Sequence, residues 1–445
     1  MPPSDPDDFP SNAKAIPRSR LARLGAFGRL AGAVAGGVVA EGAQRILTGE
    51  RPKLGDLLLT PANAARVTDQ LSKLRGAAMK LGQMISLDAG DFLPDELADI
   101  LARLRDNAHH MPPRQLDEVL KAEWGRDWRR TFAQFEARPI AAASIGQVHR
   151  ARLPDGRLLA IKVQYPGVAE SIDADVDNVA TLLRVTRLLP PALDITPLLA
   201  AAKTQLREEA DYLREADLLD AYRAHLAGDD RFVVPTIERA LTTRRVLAMS
   251  FEPGQAIDKL DQAPQAERDR VTGLILDLVI AELLHFGLMQ TDPNFANYRY
   301  RRETGQVVLL DFGAARPVAP ETAAAYRTLL AAGLANDRDR VRQAAVDAGF
   351  INQVAVDRHR ALIDEMIDII LAEANRPGPF DFANRDFLAA VRENGATIAA
   401  DRSAWHIPPV ETLFVQRKIS GMALLAARLG AHVDLRAKVV AALDA

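Results

Sequence analysis

The 445-residue chain contains no cysteine. A disulfide framework and thiolate metal sites are therefore excluded, and neither stability nor catalysis rests on sulfur redox chemistry. A reducing, cytoplasmic-type compartment fits. The chain also lacks an excess of either charge: 56 lysines and arginines against 59 aspartates and glutamates leave a formal net charge of −3. The molecule as a whole carries no electrostatic footprint for nucleic acid, and no such partner is expected. What remains, 48% hydrophobic and 26% charged residues, is the composition of a folded soluble protein with core enough for two or three domains. Its alanine and arginine richness points to a bacterial source.

Acidic residues are missing from Phe9 to Ala40, where Lys14, Arg18, Arg20, Arg23 and Arg29 precede the uncharged run LAGAVAGGVVA. That run is too short to cross a hydrocarbon core, which needs about 20 residues. Gly28, Gly32 and Gly36 fall at the spacing that lets helices approach closely. Residues 21–60 read as a basic, weakly apolar membrane-associating segment that lies on an anionic surface or packs on the body. The acidic start and the missing cleavage pattern argue against a secretory signal. The localisation expected is cytoplasmic with peripheral membrane association.

Residues 1–20, rich in Pro, Asp and Ser, are expected to form a disordered leader. Helical spacing of Leu71, Leu74, Ala78, Leu81 and Ile85 predicts a helical extension over 61–112, closed by the breaker His109-His110-Met111-Pro112-Pro113. The two histidines have no ligand partners at metal spacing and do not signal a metal site. A helix is predicted at about 114–124. QVHRARL and RLLAIKVQY then flank Pro154-Asp155-Gly156 as an antiparallel hairpin. Helices follow at about 168–189 and 196–226, strands in FVVPTIER and RRVLAMSFE, and a hinge at Pro253-Gly254. Beyond a helix at 265–286 come the polar segment QTDPNFANY and a short buried strand ending at Asp311; the rest is helical in pattern. The division expected is a 113–252 N-lobe, containing an alanine-rich loop and inserted helices, and a helical 253–445 C-lobe. The fold class is α+β: a two-lobed protein-kinase-like fold with a small antiparallel sheet in the N-lobe, a mainly helical C-lobe and an added N-terminal helical extension.

Phosphoryl chemistry needs cations on the nucleotide, supplied as a lysine and as acid-bound magnesium. Four segments carry those parts in order. Lys162 ends the strand LLAIKV within reach of nucleotide phosphates, and Glu215 in a following helix could hold its ammonium. Asp292 and Asn297, five apart in TDPNFAN, have the spacing of a catalytic-loop acid and a magnesium-binding amide. Asp311 in LLDFG offers a second hard oxygen ligand for Mg²⁺. Glycine is scarce where a phosphate loop would stand, in Ala141-Ala142-Ala143-Ser144-Ile145-Gly146-Gln147-Val148-His149. Alanine stiffens such a loop, leaving the Ser144 hydroxyl and, at Gly146, one flexible point.

With these motifs the chain resembles the UbiB, or ADCK, family of atypical protein-kinase-like proteins, and within it the ubiquinone-biosynthesis branch. Lys80-Leu81-Gly82-Gln83 matches the family's KxGQ signature, AAASIGQVH its alanine-rich loop and Glu209-Ala210-Asp211 its ExD signature; QTDPNFAN, LLDFGAAR and PPVETLFVQRKISG continue the match. The resemblance implies binding of ATP and Mg²⁺, a slow or lipid-stimulated ATPase, and support of ubiquinone (coenzyme Q) biosynthesis on a membrane. It implies that Lys162 pairs with Glu215, that Asp292 is the catalytic-loop acid, and that Asn297 and Asp311 bind magnesium. It further implies that Lys80 and Gln83, three apart and so on one helix face, project into the active site towards Glu209 and Asp211. Ala141, Ala142, Ala143 and Ser144 would then line the nucleotide. The partners expected are anionic lipids, a polyprenyl quinone precursor and ubiquinone-biosynthesis proteins, with homodimerisation left open.

Protein kinase activity in trans is not expected. The tripeptide Ala319-Pro320-Glu321 lies only six residues past Gly313, too close for a segment that shapes a peptide site, and Gln290-Thr291-Asp292 stands where HRD would be. Two further functions compete with the ATPase. One is phosphorylation of a soluble small molecule, against which KxGQ and the alanine loop stand. The other is a nucleotide-gated scaffold or lipid-binding chaperone without phosphoryl transfer.

Overall fold

The structure is a computed structural model that describes residues 110–143, 145–185, 196–404 and 408–444. The described residues form two compact units. The first holds residues up to Asp220 together with Pro235–Glu252, and the second holds Ala221–Val234 and everything from Pro253 on. The expectations for 1–109, including Lys80 and Gln83, and for Ser144 lie outside the described residues.

In the first unit, helix α1 (Pro113–Trp124) opens with proline in its first turn, where the missing N–H costs nothing. Strands β1 (Gln134–Phe135), β2 (Ala141–Ala142), β3 (Gly146–Arg152) and β4 (Leu158–Gln164) follow. Two helices come next, α2 (Val168–Val185) and α3 (Thr196–Glu209), and then α4 (Tyr212–His225), whose last residues count with the second unit. Strand β5 (Phe232–Val233) belongs to the second unit and β6 (Val246–Ser250) returns to the first. The first sheet runs β1-β3-β4-β6 with β2 beside β3, and every pair is antiparallel. The β3–β4 hairpin forms where Pro154-Asp155-Gly156 predicts it, the Asp155 carboxylate accepting from the Arg157 N–H at 3.0 Å. One face of this sheet meets α1 and an aromatic cluster in which Trp128 and Phe135 stand 4.9 Å apart, over a core including Leu120, Ile161 and Val163.

The long helix expected at 196–226 is two helices. The turn at Ala210-Asp211 breaks it, and Asp211 caps the second helix by accepting from the N–H groups of Leu213 and Arg214. An aspartate at that position satisfies donors that a continuing helix would have bonded itself. Helices α2 and α3 bury Ile172, Val176, Ala202 and Leu206 and are tied by Lys203–Asp177 at 2.6 Å and Arg207–Asp173 at 2.5 Å.

The second unit opens on β5 and continues through β7 (Gln255–Ala256), helix α5 (Gln265–Ala281) and a π-turn at Glu282–Phe286. Strands β8 (Leu288–Gln290), β9 (Tyr298–Arg301), β10 (Gln306–Leu309) and β11 (Ala315–Pro317) follow. They make two small sheets, β5-β10-β9-β7 and β11-β8. FVVPTIER thus gives only two strand residues, and they pair in parallel with β10. Helices α6 (Pro320–Leu334), α7 (Arg338–Asp347) and α8 (Gln353–Ala374) follow. Then come strand β12 (Phe380–Asp381), α9 (Phe387–Ala400), α10 (Val410–Leu429), β13 (His432–Val433) and α11 (Leu435–Asp444). The α+β character, a small antiparallel sheet in one unit and a mainly helical other, is as the sequence predicts. Among the described residues no helix is long and apolar enough to cross a membrane.

Candidate functional site

In the first unit Lys162 and Glu215 meet. Strand β4 is buried along nearly its whole length, so Lys162 is 7% exposed, and Glu215 in the first turn of α4 is fully buried. The ammonium nitrogen lies 2.9 and 3.0 Å from the two carboxylate oxygens. Tyr212, fully buried at the start of α4, places its ring centroid 5.1 Å from the same nitrogen. A lysine so held presents its charge at one place instead of sampling solvent, which is what positioning on a phosphate requires.

The alanine-rich loop is a hairpin. Ala141 and Ala142 pair with Val148 and Gln147, and the Ala143 N–H donates to the Gly146 carbonyl at 2.8 Å. Gly146 is not the flexible point that the sequence suggests. Its φ lies outside the left-handed region, and a Cβ there would sit 2.4 Å from the Val163 carbonyl oxygen and 2.9 Å from the Tyr212 hydroxyl. Glycine is required for close approach to β4 and α4, a packing role in place of a hinge.

Glu209 is 7% exposed and accepts from Gln205 Nε2 at 3.1 Å within α3. Asp211 is the cap of α4 and lies 3.4 Å from Arg244. The two acids of ExD therefore flank a helix break, and Glu209 and Glu215 do not share one helix as the continuous pattern implies.

The second unit brings Asp292, Asn297 and Asp311 together through strand pairing. Asn297 directly precedes β9 and Asp311 follows β10 by two residues; Tyr298 is opposite Leu309, and the Leu310 N–H donates to the Asn297 carbonyl at 2.9 Å. Asn297 is buried, and its amide nitrogen has no hydrogen-bond partner among the described residues. The Asp311 carboxylate accepts from the Gly313 N–H at 3.0 Å. Gln290 links both sides: its Oε1 accepts from the Asp292 N–H at 3.0 Å, and its Nε2 donates to the Asp311 carbonyl at 3.2 Å. A carboxylate and an amide are hard-oxygen donors of the kind Mg²⁺ takes, so the residues fit that ion. Among the described residues no group of three or more His, Asp or Glu forms a self-contained metal site.

Behind this segment lies a buried polar network that sequence reasoning missed. Lys418 on α10 is fully buried, with the Tyr298 hydroxyl at 2.6 Å, Gln290 Oε1 at 3.4 Å and Glu282 Oε2 at 3.5 Å. Tyr222 donates to Glu282 Oε1 at 2.9 Å, and its ring lies 4.5 Å from that of Phe312 in the DFG motif. Burial by itself would push the Lys418 ammonium down, but Glu282 and Tyr298 hold it above its ordinary value. Burial pushes the Glu282 carboxyl up, against the pull of Lys418. Helix α10 can approach so closely because residue 421 is glycine: a Cβ there would sit 2.1 Å from Pro293 Cβ. The sequence signal was a Lys in the polar stretch QRKISG and a Glu directly after the apolar end of α5, with nothing local to join them.

The segment after DFG is short. Strand β11 pairs with β8, Val318 donates to the Gly287 carbonyl at 2.9 Å, and α6 begins at Pro320. Ala319-Pro320-Glu321 is a helix start with proline in the first turn, not the close of a peptide-binding segment.

Residues 103–345 match the family described as ABC1 atypical kinase-like domain. The chain is 37% identical to the atypical kinase COQ8, mitochondrial, of Saccharomyces cerevisiae, over 95% of this chain and 84% of the relative. It is also 37% identical to the atypical kinase COQ8B, mitochondrial, of Rattus norvegicus, over 96% of this chain and 81% of the relative. Among solved structures, the complex of Rv3197 with erythromycin from Mycobacterium tuberculosis is similar with a TM-score of 0.58 and 26% identity, covering 85% of this chain and 94% of that one.

Proposed function

The chain belongs to the ABC1 atypical kinase-like family, and on that footing we propose that it binds ATP with Mg²⁺ and hydrolyses it in support of ubiquinone biosynthesis at a membrane surface. The observation that carries the nucleotide reading is the buried bidentate pair of Lys162 and Glu215. Lys162 would meet the α- and β-phosphates, and Glu215 would keep the ammonium extended and oriented. The hairpin of Ala141, Ala142 and Ala143 would cover the nucleotide with a stiffer backbone than a glycine loop gives.

Asp311 and Asn297 would hold the ion. When bound, Mg²⁺ supplies positive charge on the phosphoryl oxygens as charge shifts onto them. Asp292 would orient the attacking hydroxyl or water and accept its proton, with Gln290 fixing its backbone. Lys80, Gln83, Glu209 and Asp211 are assigned to the same chemistry on the strength of the family motifs. We place membrane association in 21–60, within the division of leader, extension and lobes given by the sequence. The ubiquinone assignment is supported by the KxGQ and QTDPNFAN motifs and by likeness to the COQ8 kinases. The short segment between Gly313 and α6 supports a small phosphoryl acceptor, or water, over a protein.

Phosphate release from ATP by the purified full chain tests the activity: it should require Mg²⁺, rise with anionic lipid and vanish in Asp311→Asn. Equal release by that variant would overturn the proposal. Quinone profiling of a deletion strain complemented with Asp311→Asn or Lys80→Ala tests the pathway, where full ubiquinone content with either variant would remove catalysis from the role.

A further inference from the structure

Helix α10 delivers two consecutive cations to the segment around Asp292, and the fold treats them differently. Lys418 has a carboxylate, a phenol and an amide around its nitrogen. Arg417 is equally withdrawn from solvent, 3% exposed, yet only its Nε is engaged, donating to the Thr291 carbonyl at 3.2 Å. Nη1 and Nη2 are buried and have no hydrogen-bond partner among the described residues. Among the described residues no carboxylate forms an ion pair with Arg417.

Leaving a buried cation without counter-charge costs several kcal/mol. Among the described residues nothing supplies that charge, and a bound anion would. The guanidinium is also oriented: its carbon lies 5.3 Å from the centroid of Phe414, one turn earlier on α10, and the Arg316 guanidinium lies 4.4 Å from the same ring. Thr291, which holds the Nε, carries the carbonyl immediately before Asp292. Its own N–H and hydroxyl are tied to the Ala314 carbonyl, so the anchor is rigid. Paired N–H groups in a fixed plane match a tetrahedral oxyanion better than a point charge does.

We infer that Arg417, with Arg316 beside it, binds a phosphate-class oxyanion adjacent to Asp292. The choice of ligand class rests on the phosphoryl chemistry proposed above; the unpaired guanidinium does not. The anion has three possible sources: inorganic phosphate left by hydrolysis, a soluble phosphate monoester, or a phospholipid headgroup.

The test uses the full chain without nucleotide. Thermal unfolding is followed in sodium phosphate, in glycerol phosphate, and with vesicles of phosphatidylcholine alone or mixed with phosphatidylglycerol. Sodium chloride and sodium acetate at equal ionic strength serve as references. A ligand that binds only the folded state raises the midpoint with a saturable dependence. The wild type should show that rise with at least one phosphate source, and the source that gives it identifies the ligand. Arg417→Met should weaken the apparent affinity about tenfold or more, and Arg417→Lys should retain part of it. No rise beyond chloride and acetate with any source, or a rise unchanged in Arg417→Met, overturns the site. Should Arg417→Met not fold, Arg316→Met, altered at a partly exposed position, carries the same comparison. Since no ATP is present, an Arg417-dependent response in a protein without ATPase activity would sink the hydrolysis proposal and leave this site standing. ATPase activity with no such response would do the reverse.

Discussion

The peptide N–H of Met111 donates to Oε1 of Gln147 at 2.7 Å, joining the chain just before α1 to the second strand of the alanine hairpin. Gln147 is fully buried, and its Nε2 stands 2.9 Å from His149 Nε2, while His149 Nδ1 lies 2.8 Å from the Glu136 carbonyl. The last residues of AAASIGQVH thus form a buried hydrogen-bonded relay, and each partner in it left unpaired would cost about 1–3 kcal/mol.

That relay makes the first unit sensitive to acid. Burial, reinforced by the charge of nearby His110, lowers the His149 pKa to about 4, against the hydrogen bond to Glu136 that raises it. The unfolded chain takes up this proton at its ordinary value near 6.5, so the native state binds fewer protons between the two values. Stability from this group is complete above the unfolded value and is lost as pH falls towards 4, up to about 3 kcal/mol. Urea unfolding of wild type and His149→Gln across that window should show a steeper decline in the wild type; parallel curves would rule the histidine out.

Gly146→Ala should destabilise by about 1–3 kcal/mol, because the added methyl meets the Val163 backbone and the buried Tyr212 hydroxyl instead of open space. Ala143→Gly, which removes a methyl from a turn residue, should cost less. Denaturant midpoints of the two variants make the comparison, and equal midpoints would return Gly146 to the role of a flexible point.

Lys418→Met should cost about 3–5 kcal/mol, since it leaves Glu282 buried without its cation. The double variant Lys418→Met/Glu282→Gln should recover much of that loss, because a neutral amide needs no counter-charge. A double-mutant cycle on unfolding free energies measures the coupling, and additive losses would show that the two residues act independently.

Lys162→Met should lower ATP turnover about 100-fold or more, as loss of a preorganised positive group does elsewhere. Glu215→Gln should lower it less, since the lysine keeps its charge and loses only its orientation. Initial rates at saturating ATP decide the order; a larger effect in Glu215→Gln would make the pair structural first and functional second.

Lys162, Asp292, Asn297 and Asp311 were legible in the sequence because each sits in a short segment whose spacing is itself the signal. The β9–β10 pairing that brings Asn297 beside Leu310 was only half legible: the strand before Asp311 is an apolar run, whereas β9, YRYR, is half arginine and does not read as a buried strand. The break at Ala210-Asp211 was hidden because its residues continue an apolar and acidic rhythm compatible with one helix; the aspartate cap that ends the pattern also belongs to the ExD motif. The strand Phe232–Val233 pairs with residues more than seventy positions away, where only tertiary contact assigns it. Lys418 reaches Tyr298 and Gln290 from 120 and 128 residues away, a separation at which no periodicity links a lysine to what it touches.

The single amide of Gln290 grips the Asp292 backbone with its oxygen and the Asp311 backbone with its nitrogen. The two acids are therefore geared to each other, and a displacement of either segment is transmitted to its neighbour at side-chain range. With the roles proposed for them, ion affinity and nucleophile orientation then cannot drift apart under mutation, and changes selected in one will register in the other.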